Sequence, residues 1–287
     1  LYALQEAFVP GLLNLSTNVM MLGFVLLSNA LGKNNSLVSL ASAYLVAVNL
    51  PLVVATFWVF TKKIPQTRPS VSFFRKDYAL SILKVGTAFL WLQVIAMVVD
   101  NTNNYLITLF VGNSAVVEYQ VYNKIFNLPM TMVMLVTTSL WSTITKAKAE
   151  NDWEWIQASY GKYMKIAFLL GVAEFAVIVP LQWIFNFWLG DKTITVNYGI
   201  AAIFALSGTV MSLRTILANY SNGLCELKIQ TVFMTIGAVV NIPLAYIFSH
   251  ISGSYISIVL ANIISMVPYC IAQMLWCRKY FKAKVEQ

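Results

Sequence analysis

Five consecutive polar side chains interrupt an apolar run at VVDNTNNYLI, residues 98–107. Asp100, Asn103 and Asn104 share one face of a helix, because residues three and four positions apart lie on the same side. A carboxylate and two amides in apolar surroundings are costly unless they face one another or water. The stretch therefore predicts either hydrogen bonds that tighten a helix bundle or one wall of a hydrated cavity.

A second polar stripe lies on the following segment: Gln120, Asn123, Lys124 and Asn127. The helix rise places Asp100 and Lys124 each about 15 Å from the short turn VGNS that joins the two segments. Two opposite charges at one depth on adjacent antiparallel helices predict an ion pair. Each amide alone fits interhelical hydrogen bonding as well as cavity lining, whereas the whole set with its two charges favours a cavity.

Two more charges fall at membrane depth, Arg214 and Glu174. Arg214 shares a helix face with Ser207 and Ser221, which favours an aqueous path, although a structural pair with Glu174 is the open alternative. Lys124 and Arg214 give the interior a cationic bias. Such a cavity suits an anionic ligand, because Lys and Arg are the natural partners of phosphate oxygens.

The elements that carry these residues are apolar segments long enough to cross a bilayer. The chain of 287 residues is 59% hydrophobic and 10% charged, with a mean hydropathy of +0.72, whereas a soluble domain is about one quarter charged. A span needs about 20 apolar residues. The sequence predicts an all-α polytopic membrane bundle of about eight spans, at 7–31, 39–61, 79–111, 114–141, 164–188, 196–221, 228–249 and 254–277.

The distribution of basic residues predicts the orientation of the bundle. Most of the Lys and Arg residues follow the even-numbered spans: Lys62, Lys63, Arg68, Arg75, Lys76, Lys146, Lys148, Lys162, Lys165, Lys228, Arg278, Lys279, Lys282 and Lys284. Cytoplasmic loops are enriched in Lys and Arg, so the carboxyl terminus is expected in the cytoplasm. The net charge of +8 is then explained by the basic residues of the cytoplasmic loops, and no nucleic-acid partner is expected.

Catalytic and metal-binding patterns are missing from the sequence. It has one histidine, His250, and its three cysteines form no CxxC pair, so neither a metal site nor a cofactor is predicted. No Ser-His-Asp set, HExxH motif or P-loop occurs. We therefore expect a protein that is not an enzyme.

Several short motifs carry a family likeness along nearly the whole chain. They are LYALQ, RPSVSFFRKDYALSILKVGTAFLWLQ, TNNYLI, VVEYQVYNKIF, LWSTITKA, DWEWI, FWLG, SNGLCELKIQ and NIPLA. Their order and spacing resemble the polysaccharide biosynthesis and export proteins, the O-antigen-unit flippases of the multidrug/oligosaccharidyl-lipid/polysaccharide exporter superfamily. Tyr119 and Lys124 match that family's Tyr and Lys. Relatives often have Thr-Asp-Asn where this chain has Thr102-Asn103-Asn104, and Asp100 precedes that position by nearly one turn.

The resemblance implies a fold of twelve or more helices in two six-helix lobes. Residues 1–76 would be the last two helices of the N-terminal lobe plus an inter-lobe cytoplasmic loop, and 77–287 the six-helix C-terminal lobe. The chain, which begins with Leu1, is accordingly expected to be part of a longer protein of the bacterial inner membrane.

The implied function is to move an undecaprenyl-diphosphate-linked oligosaccharide, an O-antigen, capsule or exopolysaccharide unit, to the outer leaflet by alternating access. Lys124 and Arg214 would contact phosphate or acidic sugars, and Asp100 would hold Lys124 or exchange it during the cycle. Sugar hydroxyls would bind the amide set, which is Asn103, Asn104, Gln120, Asn123 and Asn127. Further candidate partners are a polysaccharide polymerase, the chain-length machinery and a coupling cation, H⁺ or Na⁺. Alternatives are a cation-coupled multidrug exporter of the same superfamily and a peptidoglycan-precursor flippase.

Overall fold

The computed structural model describes residues 8–31, 36–70, 74–190 and 194–286. The LYALQ motif, residues 71–73 and part of the segment after FWLG lie outside these ranges. Within them the chain forms ten α-helices, with a π-helical turn, Val59–Lys63, and a 3-10 turn, Pro65–Thr67, after the second. The helices are α1 (Phe8–Ala30), α2 (Leu37–Trp58), α3 (Lys76–Phe110), α4 (Asn113–Phe126), α5 (Leu128–Ala149), α6 (Trp153–Val177), α7 (Leu181–Leu189), α8 (Tyr198–Leu224), α9 (Lys228–Ser252) and α10 (Ile256–Val285).

The all-helical membrane class predicted from the sequence is confirmed, with a lower number of spans. Among the described residues, six helices are long and apolar enough to cross a membrane: α1, α2 with its π-helical turn, α3, α8, α9 and α10. A seventh candidate is the pair α6 and α7, which bends by 72° at a short break. The predicted fourth span, 114–141, falls on α4 and α5. These helices are not among the candidates, and α4, with 14 residues, is too short to span the bilayer by itself.

Residues 142–163, where Trp and Tyr stand beside charged residues, form no separate interfacial helix. α5 runs on to Ala149, and α6 begins at Trp153 after a tight turn in which Asn151 has a φ of 58°. The Asp152 side chain caps α6 by accepting from the Trp155 backbone N–H at 3.0 Å. The aromatic and charged residues after Asp152 therefore form the first turns of the long helix α6.

Contacts divide the chain into two units, Leu1–Ile82 and Leu83–Gln287. In the first unit, α1 packs on α2. Pro51 lies inside α2 and cannot donate a backbone N–H to the Ala47 carbonyl. That carbonyl instead accepts from the Thr17 hydroxyl of α1 at 3.1 Å. A neighbouring side chain thus satisfies the group that proline freed, as membrane helices require.

The second unit is built around α8, whose side chains are buried along most of its length. α8 packs against α4, α5, α6 and α10, and α9 packs along α10. Without a strong hydrophobic force between helices in lipid, close approach at small residues stabilises the bundle. Gly237 of α9 shows how close this approach is, because an added Cβ would lie 2.6 Å from the Ser265 carbonyl oxygen of α10.

The chain has three Asn-Leu/Ile-Pro motifs, at 49–51, 127–129 and 241–243. Proline removes a backbone hydrogen bond and can kink a helix, but only the motif at 127–129 lies at a break between helices. Pro51 and Pro243 remain inside α2 and α9. At Asn127-Leu128-Pro129 the chain leaves α4 and begins α5, with Pro129 in the first turn of α5, where a missing N–H is harmless.

Candidate functional site

An ion pair in the second unit joins α3 to α8. Arg214 Nη2 donates to Asp100 Oδ1 at 2.6 Å. The two side chains differ in exposure, because Arg214 is 6% exposed and Asp100 41% exposed. Arg214 therefore carries a charge that only Asp100 neutralises among the described residues, whereas Asp100 can also reach solvent.

This contact corrects the predicted pairing of Asp100 with Lys124. Lys124 is exposed, and its ammonium lies 5.8 Å from the centre of the Trp188 ring of α7. A guanidinium is more weakly hydrated than an ammonium and is the cation better suited to a buried pair. The structural pair of Arg214 with Glu174 is not formed either.

The amide residues of the two predicted stripes bond mainly to one another. Gln120 donates to the Asn104 side chain at 2.5 Å, which ties α4 to α3. Asn127 donates to Asn123 at 2.8 Å within the α4–α5 break. The buried Asn103 faces Asn262 of α10, whose amide donates to the Val99 carbonyl at 3.3 Å and lies 3.5 Å from Asn103 Oδ1. These contacts are the interhelical hydrogen bonds that the sequence left open as the alternative.

Tyr119 is likewise part of the packed interior. It is 4% exposed, and its ring lies 5.7 Å from Phe204 and 6.5 Å from Tyr255 between ring centres. Glu174 is 1% exposed and lies against Gly208 of α8. Neither Tyr119 nor Glu174 lines the cavity described next.

A cavity of about 600 Å³ opens beside the Asp100–Arg214 pair. Its wall combines α3, α5, α8 and α9 and consists of Gly86, Phe89, Leu90, Leu92, Gln93, Ala96, Asp100, Met130, Met134, Trp141, Arg214, Thr215, Ala218, Asn219, Asn222, Gln230 and Met234. Of the predicted site residues, the structure brings only Asp100 and Arg214 together here.

The sequence reasoning missed the amides Asn219, Asn222 and Gln230 as cavity residues. A signal was present for two of them, because Thr215, Asn219 and Asn222 follow one another at helical spacing on the face of α8. Gln230 carried no such signal. It follows the turn between α8 and α9, whose path the spacing of polar residues does not predict.

Three polar atoms of the cavity wall have no hydrogen-bond partner among the described residues. They are Arg214 Nε, Asn222 Oδ1 and Gln230 Oε1, and all three are buried. Buried polar atoms are normally satisfied, so one donor and two acceptors here are available to a ligand. Asp100 and Arg214 cancel in charge, which corrects the predicted cationic excess of the interior.

An aromatic and sulfur-rich surface forms the remainder of the wall. The rings of Phe89 and Trp141 stack at 5.2 Å between centres, and Met130, Met134 and Met234 lie beside them. Few placed polar groups on a largely apolar wall are typical of ligand cavities. His, Cys, Asp and Glu side chains form no group of three that could hold a metal ion in the described part of the chain.

Comparison with solved structures finds the same fold in a transporter. The match is titled as the outward-facing conformation of a multidrug resistance MATE family transporter of the MOP superfamily. The TM-score is 0.62 at 16% sequence identity, over 88% of this chain. The chain spans 58% of the length of that transporter. No curated protein matches the chain.

The sequence also matches a family profile, described as MatE, over residues 92–247. This range is more than half of the chain and includes the Asp100–Arg214 pair together with nearly all of the cavity wall. The chain therefore belongs to the MatE family.

Proposed function

We propose that the protein exports a lipid-linked oligosaccharide across the bacterial inner membrane, with its carboxyl terminus in the cytoplasm. Residues 77–287 would be the six-helix C-terminal lobe of a two-lobe exporter, and residues 1–76 the end of the preceding lobe. The cavity beside Asp100 and Arg214 would contact the polar head of the substrate.

The observation that carries this proposal is the set of unsatisfied atoms in the cavity wall. Asn222 Oδ1 and Gln230 Oε1 can accept hydrogen bonds from sugar hydroxyls, and Arg214 Nε can donate to an anionic oxygen. A ligand with both hydroxyl donors and phosphate oxygens matches this combination. The cavity wall has no net charge. Hydrogen bonds to sugar hydroxyls would therefore contribute more to substrate binding here than they would in a cationic cavity.

Arg214 can exchange its partner during the transport cycle. In this state one Nη atom binds Asp100 and Nε is free. A diphosphate that enters would bind Arg214 at two positions, as the planar guanidinium favours. Asp100 would then turn to solvent, at small cost because 41% of its side chain is already exposed. Alternating access would return the ion pair after the substrate leaves.

A second candidate is export of small apolar drugs, which the aromatic and methionine surface of the cavity favours. Methionine side chains adapt to ligands of many shapes and recur at promiscuous binding surfaces. The solved structure with this fold is titled a multidrug resistance transporter. Organic cations fit less well, because Arg214 already neutralises Asp100.

The test is a flipping assay with the natural full-length gene product in vesicles. The probe is a fluorescent polyprenyl-diphosphate oligosaccharide, and a membrane-impermeant quencher scores its exposure on the outer surface. Variants Asn222→Leu and Gln230→Leu remove the hydroxyl acceptors, and Arg214→Gln removes the anion contact. Lys124→Gln is the matched control, because Lys124 lies outside the cavity wall.

We expect wild type and Lys124→Gln to flip the probe, and the three cavity variants to lose most of this activity at equal protein level. The proposal fails if the cavity variants flip the probe at the wild-type rate. It also fails if wild type flips no probe but transports an uncharged apolar dye, in which case drug export takes its place.

A further inference from the structure

A second cleft lies between the start of α6 and the end of α10, and it shares no residue with the cavity wall described above. Its volume is about 410 Å³, and its wall includes Gln157, Tyr160, Arg278, Phe281 and Lys282. Tyr160 and Phe281 are 5% and 1% exposed and form the floor of the cleft, whereas the other three side chains are exposed and form its rim. The cleft therefore has an aromatic base and a polar, basic border.

The rim of this cleft carries one positive charge in excess. Lys282 and Glu286, which also lines the cleft, lie 3.8 Å apart with most of their side-chain surface exposed, so their charges offset one another with little gain in stability. Arg278 forms no ion pair with any residue that the structure describes. A guanidinium binds phosphate and carboxylate oxygens through parallel N–H groups. The rim is therefore suited to an anionic group.

The floor of the cleft contains a hydroxyl group without a partner. The Tyr160 ring packs edge-on against Tyr220 and Phe281, at 5.3 Å between ring centres in each case. The Tyr220 hydroxyl is bonded to the Ser159 hydroxyl at 2.7 Å. The Tyr160 hydroxyl has no hydrogen-bond partner among the described residues, and it lies toward α10, where the charge of Arg278 acts on it. Because buried polar atoms are normally satisfied, this hydroxyl is available to donate to the anion that Arg278 would bind.

Apolar side chains continue from the cleft along both helices. Residues three and four positions apart share one face of a helix, and Ile271, Leu275 and Arg278 follow one another on α10 with this spacing. Ile271 and Leu275 are 51% and 61% exposed. On α6, Phe168 is 72% exposed and lies on the face of Gln157, about three turns further along the helix. Each helix thus presents a polar group at the cleft and an exposed apolar surface deeper in its predicted span.

The predicted spans place this cleft at the depth of the lipid headgroups. The last predicted span ends at residue 277, immediately before Arg278, and the fifth begins at residue 164, one turn after Tyr160. Trp276 and Tyr280, whose rings stack at 4.5 Å between centres, occupy the same level of α10, and such rings are enriched at the boundary between membrane and water. Basic residues that follow a membrane span attract anionic lipids. A phosphate at the rim and acyl chains along the apolar faces correspond to one phospholipid molecule.

We propose that this cleft binds an anionic phospholipid, whose phosphate group lies between Arg278 and the Tyr160 hydroxyl. The lipid would come from the leaflet that the carboxyl end of α10 reaches, and it would hold α6 and α10 together. A headgroup with net negative charge is favoured over a zwitterionic one, because the rim has one uncompensated positive charge. A free phosphate ion has the same anionic oxygens but no acyl chain to cover Ile271 and Leu275. Binding at this cleft does not depend on which cargo the protein exports.

The test is a scintillation proximity assay on the natural full-length protein in detergent, with tritiated phosphatidylglycerol as the probe. The competitors are unlabelled phosphatidylglycerol, zwitterionic phosphatidylcholine and inorganic phosphate. Arg278→Gln removes the cation, and Tyr160→Phe removes the hydroxyl while it keeps the ring in the floor of the cleft. Lys279→Gln is the matched control, since it removes the same charge from the next residue, which is exposed and lies outside the cleft wall.

We expect unlabelled phosphatidylglycerol to displace the probe at a lower concentration than phosphatidylcholine, and inorganic phosphate to leave the probe bound. Arg278→Gln should weaken binding of the probe by about tenfold or more, and Tyr160→Phe by about fivefold, as for the loss of a charged and of a neutral hydrogen bond donor. Lys279→Gln should change it by no more than about twofold.

Three results would overturn the proposal. Equal competition by phosphatidylcholine would show that the headgroup charge is not recognised. Equal losses in Arg278→Gln and Lys279→Gln would show that lipids collect on a basic surface without a defined site. Displacement of the probe by inorganic phosphate would assign the cleft to a free anion instead of a lipid.

Discussion

The two members of the Asp100–Arg214 pair should contribute very unequally to stability. Substitution Asp100→Asn removes the carboxylate and leaves the guanidinium of Arg214, which is 6% exposed, without a counter-charge. Substitution Arg214→Met removes the buried charge and leaves a carboxylate that is 41% exposed and can turn to water. The first change creates an uncompensated buried charge, and the second does not.

The magnitudes follow from the two exposures. Leaving one partner of a buried pair alone costs about 3–5 kcal/mol, and the partial exposure of Asp100 places Asp100→Asn near the lower end, at about 3 kcal/mol. The cost of Arg214→Met should be about 1 kcal/mol or less, as for exposed pairs, because Met fills much of the vacated volume. The double variant should be close to Arg214→Met, which gives a coupling of about 3 kcal/mol between the two sites.

Thermal unfolding of the full-length protein in detergent measures this order, with folded protein scored by size-exclusion chromatography after heating. Asp100→Asn should have the lowest midpoint, and adding Arg214→Met should restore most of the loss. Lys146→Met at the exposed Lys146–Glu150 contact is the control and should change little. The reasoning is refuted if Arg214→Met is the more damaging single change, or if the two losses simply add.

Three further outcomes are expected in the same unfolding assay. Gly208→Ala should destabilise the protein by about 1–3 kcal/mol, because its Cβ would meet backbone as well as side chain, while Gly161→Ala, at an open position of α6, should be neutral or slightly stabilising; equal effects would contradict the packing argument. Lys124→Gln should cost no more than about 1 kcal/mol, because it loses only an exposed contact with an aromatic ring; a larger loss would place Lys124 in a buried pair. A double-variant cycle of Asn104→Leu and Gln120→Leu should give a coupling of about 0.6 kcal/mol or somewhat more, and zero coupling would refute the interhelical bond.

The sequence was sufficient to predict the helices, since each predicted span overlaps one or two observed helices. Hydropathy is a local property, and a membrane helix satisfies its backbone groups within itself. The predictions failed where two helices share one apolar segment. The predicted fourth span is divided at Asn127, and the fifth is bent by 72° before Leu181.

The candidate site was predicted less completely than the helices. Residue spacing predicts on which face of a helix a side chain lies, but not which other helix packs against that face. Asp100 and Arg214 were both identified as membrane-depth charges, yet Asp100 was assigned to Lys124 on the adjacent helix. α3 instead meets α8, which is distant in sequence and contributes two of the four cavity amides. Depth alone cannot distinguish α4 from α8 as the partner of α3.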